Sequence, residues 1–226
     1  PVTQTYAQHG DACATAHAME LLGDRGTYPI LRELMLGPKR FGEIASAARG
    51  VTPAVLTARL REMEHTGLVR RSQLPRSAGS VGVYEATEWS CELKPIFESL
   101  ARWAQASPTR TSEGCGLTPD AAVQSMLTMA PRVPLHPSAE VWLNLYDERV
   151  PDEQGYWYRA RWDDRLDISR TTDGRDATAT VRADSSTWVR VLYEGLPLDA
   201  VGTEGARGDV ERVVSAFRQA VATHPD

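Results

Sequence analysis

The chain has 226 residues, 42% of them hydrophobic, with 25 Lys+Arg against 30 Asp+Glu for a net charge of −5. That is enough apolar material for packed cores in one large or two small domains, and too acidic a balance for a nonspecific coat of nucleic acid. No apolar run approaches the ~18–20 residues that cross a bilayer, and Pro1-Val2-Thr3-Gln4 is unlike a secretory signal, so a cytoplasmic protein is expected. Cys13, Cys91 and Cys115 have no CxxC spacing and point to reduced thiols. The charge is uneven: residues 1–107 hold 12 basic and 11 acidic groups, giving +1, and residues 108–226 hold 13 and 19, giving −6.

Residues 1–10 are polar and expected to fray. From Asp11 to Leu22, small residues and Leu21 spell a short helix. Cys13 reads there as a small buried hydrophobe, because a thiol is reactive only where something stabilises its thiolate. Cys13 and His17, one turn apart, supply two metal ligands without a third. Ile30, Leu31, Leu34 and Met35 repeat at helical spacing up to a Gly37-Pro38 stop. Phe41, Ile44 and Ala45 then give the inner face of a short helix. Lys39 and Arg40 at its start are candidate phosphate contacts, which position a protein without reading sequence.

A second helix opens at Thr52-Pro53, where the threonine caps and the proline loses only an amide that had no partner. Leu56, Leu60 and Met63 form its inner stripe at about 100° per residue. Ala54, Ala58, Arg61 and His65 lie opposite, flanked by Thr57. A face of small residues with one arginine suits base edges, since methyl-bearing side chains sit against thymine while Arg reaches guanine or phosphate. Gly67 ends the helix. Leu68 to Arg71 and Val81 to Tyr84 read as strands joined by a turn over Pro75 to Ser80, with Arg70, Arg71 and Arg76 lining the ribbon. From Lys39 to Arg76 there are eight Lys/Arg (39, 40, 49, 59, 61, 70, 71, 76) against three Glu (43, 62, 64), a local +5 of the kind phosphate neutralisation asks for. The expected shape is a helix-turn-helix followed by a β-ribbon. Its candidate DNA contacts are Lys39, Arg40, Thr52, Ala54, Thr57, Ala58, Arg61, Arg70, Arg71 and Arg76.

GDRGTYPILRELMLGPKRFGEI at 23–44, VTPAVLTARLREMEHTGLVRR at 51–71, then Tyr84, Thr87 and the helix ending at Trp103 resemble the HxlR-type winged-helix regulators of bacteria, relatives of the MarR type, over about residues 10–106. The resemblance implies a double-stranded DNA operator and a dimer built from the first and last helices of the domain. It also places Cys13 at the position used by the thiol-sensing members. Gly26 departs from the family, which usually has Trp there, and Tyr28-Pro29 stands where apolar residues are usual. A proline inside a helix removes a bond and crowds the carbonyl four residues back, so this helix is expected to begin later or to bend. The space of the absent indole is expected to be filled by something else.

From Ser90, expected as an N-cap, to Ala104, the residues Cys91, Leu93, Ile96, Phe97, Leu100 and Trp103 recur every third or fourth position. Such a stripe needs a partner, and the simplest is a second copy of the chain. A twofold dimer would set two recognition helices against adjacent major grooves of an inverted repeat. Residues 105–118 are polar and rich in Gly, Ser, Thr and Pro, so the domains are placed at 1–106 and 119–226 with 107–118 as linker.

Beyond the linker, Thr118-Pro119 opens a helix through Met129. Val141 to Tyr146 and Tyr156 to Trp162 alternate as strands, and Leu166 to Ser169 and Ala177 to Arg182 add two more around a turn at Asp173-Gly174. Helices are expected over 184–194 and 207–222, which makes an antiparallel sheet with helices, an α+β arrangement. DGRDATATVRADSSTWVRVLYEGLPLDAV at 173–201 resembles the sterol-carrier-protein-like fold, on Gly174, Ala183-Asp184, Trp188, Leu192 and Gly195, over roughly 119–224. That resemblance implies an apolar tunnel. Aromatics are frequent here, and Trp142, Tyr146, Tyr156, Tyr158, Trp162 and Trp188 are the candidates to line a pocket for a small apolar or aromatic ligand. They are equally what an ordinary core uses. Arg159 and Arg161 alternate with them. The expected fold is thus mainly α with a β-wing, a winged helix-turn-helix, plus an α+β sterol-carrier-like C-terminal domain.

There is no nucleophile elbow, phosphate loop or HExxH pair, and the histidines at 9, 17, 65, 136 and 224 are scattered. No catalytic, metal or cofactor site is expected, and not an enzyme. The reading is a ligand-responsive transcriptional regulator, a homodimer whose winged helix binds an operator while the second domain binds the ligand. Its rivals are a thiol or electrophile sensor acting through Cys13 with a structural C-terminal domain, and a lipid carrier or enzyme that uses the winged helix for assembly.

Overall fold

The structure, a computed structural model, describes residues 7–76, 79–109, 115–150 and 155–222. The chain divides into two compact units, Pro1–Lys94 and Pro95–Asp226. The division falls at the start of the helix expected to close the first domain, ahead of the polar stretch 107–118.

The first unit runs α1 (Ala14–Leu22), α2 (Thr27–Leu34), α3 (Phe41–Ala47), α4 (Pro53–His65), β1 (Val69–Arg76), β2 (Gly79–Ala86) and α5 (Glu88–Cys91). Its core is built from Ile30, Leu31 and Leu34 of α2, Ile44 of α3, Leu56, Leu60 and Met63 of α4, and Val83 of β2. Pro29 does not delay α2, because as the third residue of the helix it lies in the first turn, where amides have no intrahelical acceptor. The space at Gly26 is bordered by Arg59 of α4: a Cβ built at Gly26 would lie 3.8 Å from Arg59 Cγ. The Arg59 guanidinium pairs with Asp24 and, at 2.8 Å, with Glu62.

Thr52 caps α4, its hydroxyl accepting from the Val55 amide at 3.4 Å. At the other end the Leu68 amide reaches the Met63 carbonyl at 2.9 Å and the Gly67 amide the Glu64 carbonyl at 3.3 Å. This closure needs a left-handed residue, and Gly67 supplies it at φ +77°. The chain turns at once into β1, which pairs antiparallel with β2 over the full eight residues of each strand. The strands therefore run further toward the tip than the expected turn over Pro75 to Ser80 allowed; Ser77 and Ala78 of that turn lie outside the described residues. Lys39 joins the edge of this ribbon, exchanging hydrogen bonds with Tyr84 at 3.0 and 2.8 Å. Ser90 is not an N-cap. Thr87 holds that place, accepting from the Ser90 amide at 3.2 Å, while the Ser90 hydroxyl is buried and donates to the Leu68 carbonyl at 2.6 Å.

The second unit contains α6 (Lys94–Gln105), α7 (Pro119–Met129), β3 (Ala139–Tyr146), β4 (Tyr156–Trp162), β5 (Leu166–Thr171), β6 (Ala179–Asp184), α8 (Ser185–Tyr193), β7 (Gly202–Gly205) and α9 (Arg207–Ala222). The strands form one sheet in the order β5-β4-β3-β6-β7. The expectation of an antiparallel sheet is corrected at its centre, where β3 and β6 run parallel. Strand β7 was not expected, because Gly202-Thr-Glu-Gly205 has no apolar alternation; its backbone alone completes the edge. One sheet face is apolar, with Val141, Leu143 and Leu145 beneath Val210, Val213, Val214 and Phe217 of α9. Among the described residues no helix is long and apolar enough to cross a membrane, and no three His, Cys, Asp or Glu side chains are grouped to hold a metal.

Candidate nucleic-acid interface

Helix periodicity separates α4 cleanly. Leu56, Leu60 and Met63 are buried, while Ala54, Val55, Ala58, Arg61 and His65 are exposed. Thr52 is exposed at the helix start, and half-buried Thr57 turns its hydroxyl onto the Pro53 carbonyl at 2.8 Å. The free face is narrow in side-chain bulk and ends in an arginine. Val55, 56% exposed, belongs with it and was missed in the sequence reading. The available signal was its place one residue off the Leu56 stripe, where a β-branched side chain has no core to enter.

Two borders frame this face. On one side Arg59 is tied to Asp24 in the turn between α1 and α2. On the other, Glu64 accepts from Arg71 Nε of β1 at 3.0 Å. The ribbon is thus bound to the same helix that carries Arg61. Arg70 and Arg71 are consecutive on a strand and so take opposite faces of the ribbon. Arg70 lies across from Glu85 and donates to it at 2.9 Å; Arg71 lies across from Tyr84, its guanidinium 5.1 Å from the ring centre. Arg76 ends β1, and its side chain lies outside the described residues.

Lys39 is a correction. It is 1% exposed, and its ammonium donates to the equally buried Glu33 carboxylate at 2.5 Å. A cation enclosed with its counter-ion has no reach to phosphate. Glu33 also accepts from Arg32 at 3.1 Å. Among the described side chains of the eight basic residues between 39 and 76, at least four are therefore paired with carboxylates: Lys39, Arg59, Arg70 and Arg71. Arg40 and Arg61 are exposed and have no carboxylate partner among the described residues. The Arg40 backbone is engaged locally, its amide donating to Glu43 at 2.7 Å and its carbonyl accepting from the Ile44 amide at 3.1 Å. The usable positive charge is smaller than the raw count, and Arg61 of α4 and Arg40 at the start of α3 carry it among the described side chains.

The six aromatic candidates of the second unit do not share one site. Strand alternation puts Trp142 and Tyr146 on one sheet face, and Tyr156, Tyr158 and Trp162 on the other with Leu143, Leu145 and Ala139. Tyr158, Trp162 and Trp188 are wholly buried core. Trp162 meets Phe217 edge-on at 5.3 Å and donates to the Val133 carbonyl at 3.1 Å. Trp188 donates to Met126 Sδ at 3.4 Å. Tyr158 donates to Asp120 at 2.6 Å, and the same buried carboxylate is paired with Arg170. Burial and the Asp120 charge push the Tyr158 phenol well above its ordinary value. Burial opposes the Arg170 charge, but Asp120 overrides it and holds the guanidinium above its usual range. Arg170 also covers Tyr156, 4.5 Å from the ring centre. On the opposite face Arg159 covers Trp142 at 5.7 Å and Arg182 covers Tyr146 at 5.5 Å. Arg161 pairs with Asp163 at 3.1 Å.

Cys13 also departs from its expected place. It is exposed at the N-cap of α1, where the nearby backbone amides of Ala16 and then Thr15 favour the thiolate and lower the thiol below its ordinary value. Cys115 is exposed and Cys91 half-buried.

Comparison with known proteins places these features. The HxlR-like helix-turn-helix family matches residues 21–112. The HTH-type transcriptional regulator YodB of Bacillus subtilis is 37% identical over 87 residues, which is 38% of this chain and 77% of that protein. Its reduced form is similar at 32% identity and a TM-score of 0.39, covering 44% of this chain and 97% of that one. Its quinone-bound form is similar at 32% identity and a TM-score of 0.36, covering 41% and 97%.

Proposed function

This chain belongs to the HxlR-like helix-turn-helix family and is a DNA-binding transcriptional regulator of that type, and we propose that it grips an inverted-repeat operator as a homodimer through the free face of α4. Thr52, Ala54, Thr57, Ala58 and Arg61 enter the major groove, with Arg40 and Arg76 on flanking phosphates. The observation that carries this is Arg61, the one cation on α4 left without a carboxylate among the described residues, set beside a row of small side chains. The dimer is supported by α6, which leaves Ile96, Leu100 and Trp103 on one stripe at 50%, 43% and 77% exposure, and by Met19 of α1 at 49%. Sedimentation of the full chain at micromolar concentration tests it: a dimer is expected, and a Trp103→Glu chain that sediments as a monomer identifies the face.

The second unit carries the ligand response in this proposal, through a small apolar or aromatic molecule. Support comes from the resemblance of the stretch at 173–201 to the sterol-carrier-protein-like fold and from Trp142 and Tyr146, which share one sheet face outside the wholly buried core. A ligand shifts DNA affinity only by its differential affinity for the two protein states. Selection from a random-sequence duplex pool, with the full chain at moderate salt, tests the regulator reading. An enriched inverted repeat is expected; no enrichment removes it.

A second reading has its own observation. Cys13 is exposed and its thiolate is favoured by the first-turn amides of α1, the environment that makes a thiol reactive. YodB is described in a quinone-bound form. By this reading, an electrophile that alkylates Cys13 changes operator affinity and spares a Cys13→Ser chain. Equal responses of the two chains eliminate it.

A further inference from the structure

Arg71 sits in the basic ribbon, where a phosphate contact is the obvious role, yet its surroundings hold it elsewhere. Its Nε donates to Glu64 of α4 at 3.0 Å, and its guanidinium lies 5.1 Å from the centre of the Tyr84 ring opposite it on β2. The Tyr84 backbone is in turn bonded both ways to Lys39, at 3.0 and 2.8 Å. The Lys39 side chain is sealed in the core against Glu33 of α2. A continuous set of contacts therefore leads from the buried face of α2, across the root of the ribbon, to the recognition helix.

We propose that Arg71 and Glu64 form a positioning clamp that fixes the ribbon against α4 in the orientation DNA requires, and that Arg71 acts through Glu64 rather than on phosphate. The proposal rests on the DNA-binding reading above. An isolated exposed ion pair contributes little. Here one partner is also stacked on an aromatic ring that is anchored through its own backbone, so the guanidinium has two reasons to stay in one place. The planar fork is needed for both contacts at once, which a lysine ammonium cannot reproduce. Glu64 carries the sharper implication. A carboxylate beside a DNA-facing helix repels phosphate, so deleting its charge ought to tighten binding if electrostatics alone were at work.

The test measures binding of the full chain to a duplex that the wild-type chain selects from a random pool, across a series of salt concentrations. Glu64→Gln is expected to weaken binding about threefold, and Arg71→Ala and Arg71→Lys by about three- to tenfold. The salt slope stays at its wild-type value in all three, and the double variant Glu64→Gln/Arg71→Ala is no weaker than Arg71→Ala alone. Glu64→Gln binding as tightly as wild type or more so overturns the clamp. So does Arg71→Ala lowering the slope by about one, the mark of a lost phosphate contact. Amide hydrogen exchange along β1 and β2 reads the clamp without DNA. Glu64→Gln is expected to speed it, and unchanged rates overturn the clamp even if no duplex is selected. That last failure would strike the regulator reading alone.

Discussion

Helix α4 and strand β4 each present a row of residues that reads along the sequence as one functional set, and the fold buries one row and leaves the other exposed. On α4 the set Ala54, Ala58 and Arg61 recurs every third or fourth residue, so a period of 3.6 keeps it together on the side away from Leu56, Leu60 and Met63. On β4 a period of two likewise keeps Tyr156, Tyr158 and Trp162 on one face, while the register with β3 sets Trp142 and Tyr146 on the other. Tyr158 and Trp162 go to the core with Leu143 and Ala139, and Trp142 goes to the other face opposite Arg159. A candidate site survives folding when the face its spacing selects is also left uncovered, as on α4 and not on β4. Richness in one residue type does not suffice.

Substitutions can break or sharpen this contrast. The largest effects are expected where a candidate site residue has turned out to be core. Trp188→Ala should cost about 3–5 kcal/mol in denaturant unfolding monitored by circular dichroism. Lys39→Ala should cost about 3–5 kcal/mol, because the buried Glu33 carboxylate loses the ammonium enclosed with it. A Lys39→Ala chain that keeps its stability and loses DNA affinity would return Lys39 to the interface.

Tyr158→Phe is expected to cost about 1–2 kcal/mol near neutral pH through the hydrogen bond to Asp120. Because the folded phenol titrates above its unfolded value of about 10, its contribution is complete below that pH and is lost as the pH rises toward the folded value. Stability should therefore fall in alkali, and less steeply in Tyr158→Phe. An identical alkaline profile would mean that Tyr158 is not held neutral. At the small end, Arg61→Ala should leave the unfolding midpoint unchanged, since its side chain is exposed and without a carboxylate partner among the described residues.

Much of the first unit was legible because local signals agreed with one another. Thr52-Pro53 and Gly67 mark both ends of α4, and the Leu56 stripe fixes which face turns inward. What escaped was pairing across elements. Lys39 and Glu33 are six residues apart with a helix end between them, and no periodicity announces that their charges meet inside the core. The Asp24–Arg59 and Glu64–Arg71 pairs are likewise products of tertiary approach, so a count of +5 overstated the charge available to DNA. In the second unit β4 was readable to the residue, while β7 was not. Its four residues pair by backbone, and the Gly-Thr-Glu-Gly side chains have no apolar face to reveal it. Cys13 was misplaced because a small apolar neighbourhood in sequence reads as burial, whereas the fold sets it at an exposed helix start.

Base recognition by α4 depends on Arg61. The most direct measurement is the base preference of the Arg61→Ala chain, taken from the same random duplex pool as wild type. Loss of preference at one symmetric pair of positions in the repeat, with the remaining positions still enriched, is the expected result. Enrichment identical to wild type at every position would contradict it, and would mean that the exposed side of α4 does not face the bases.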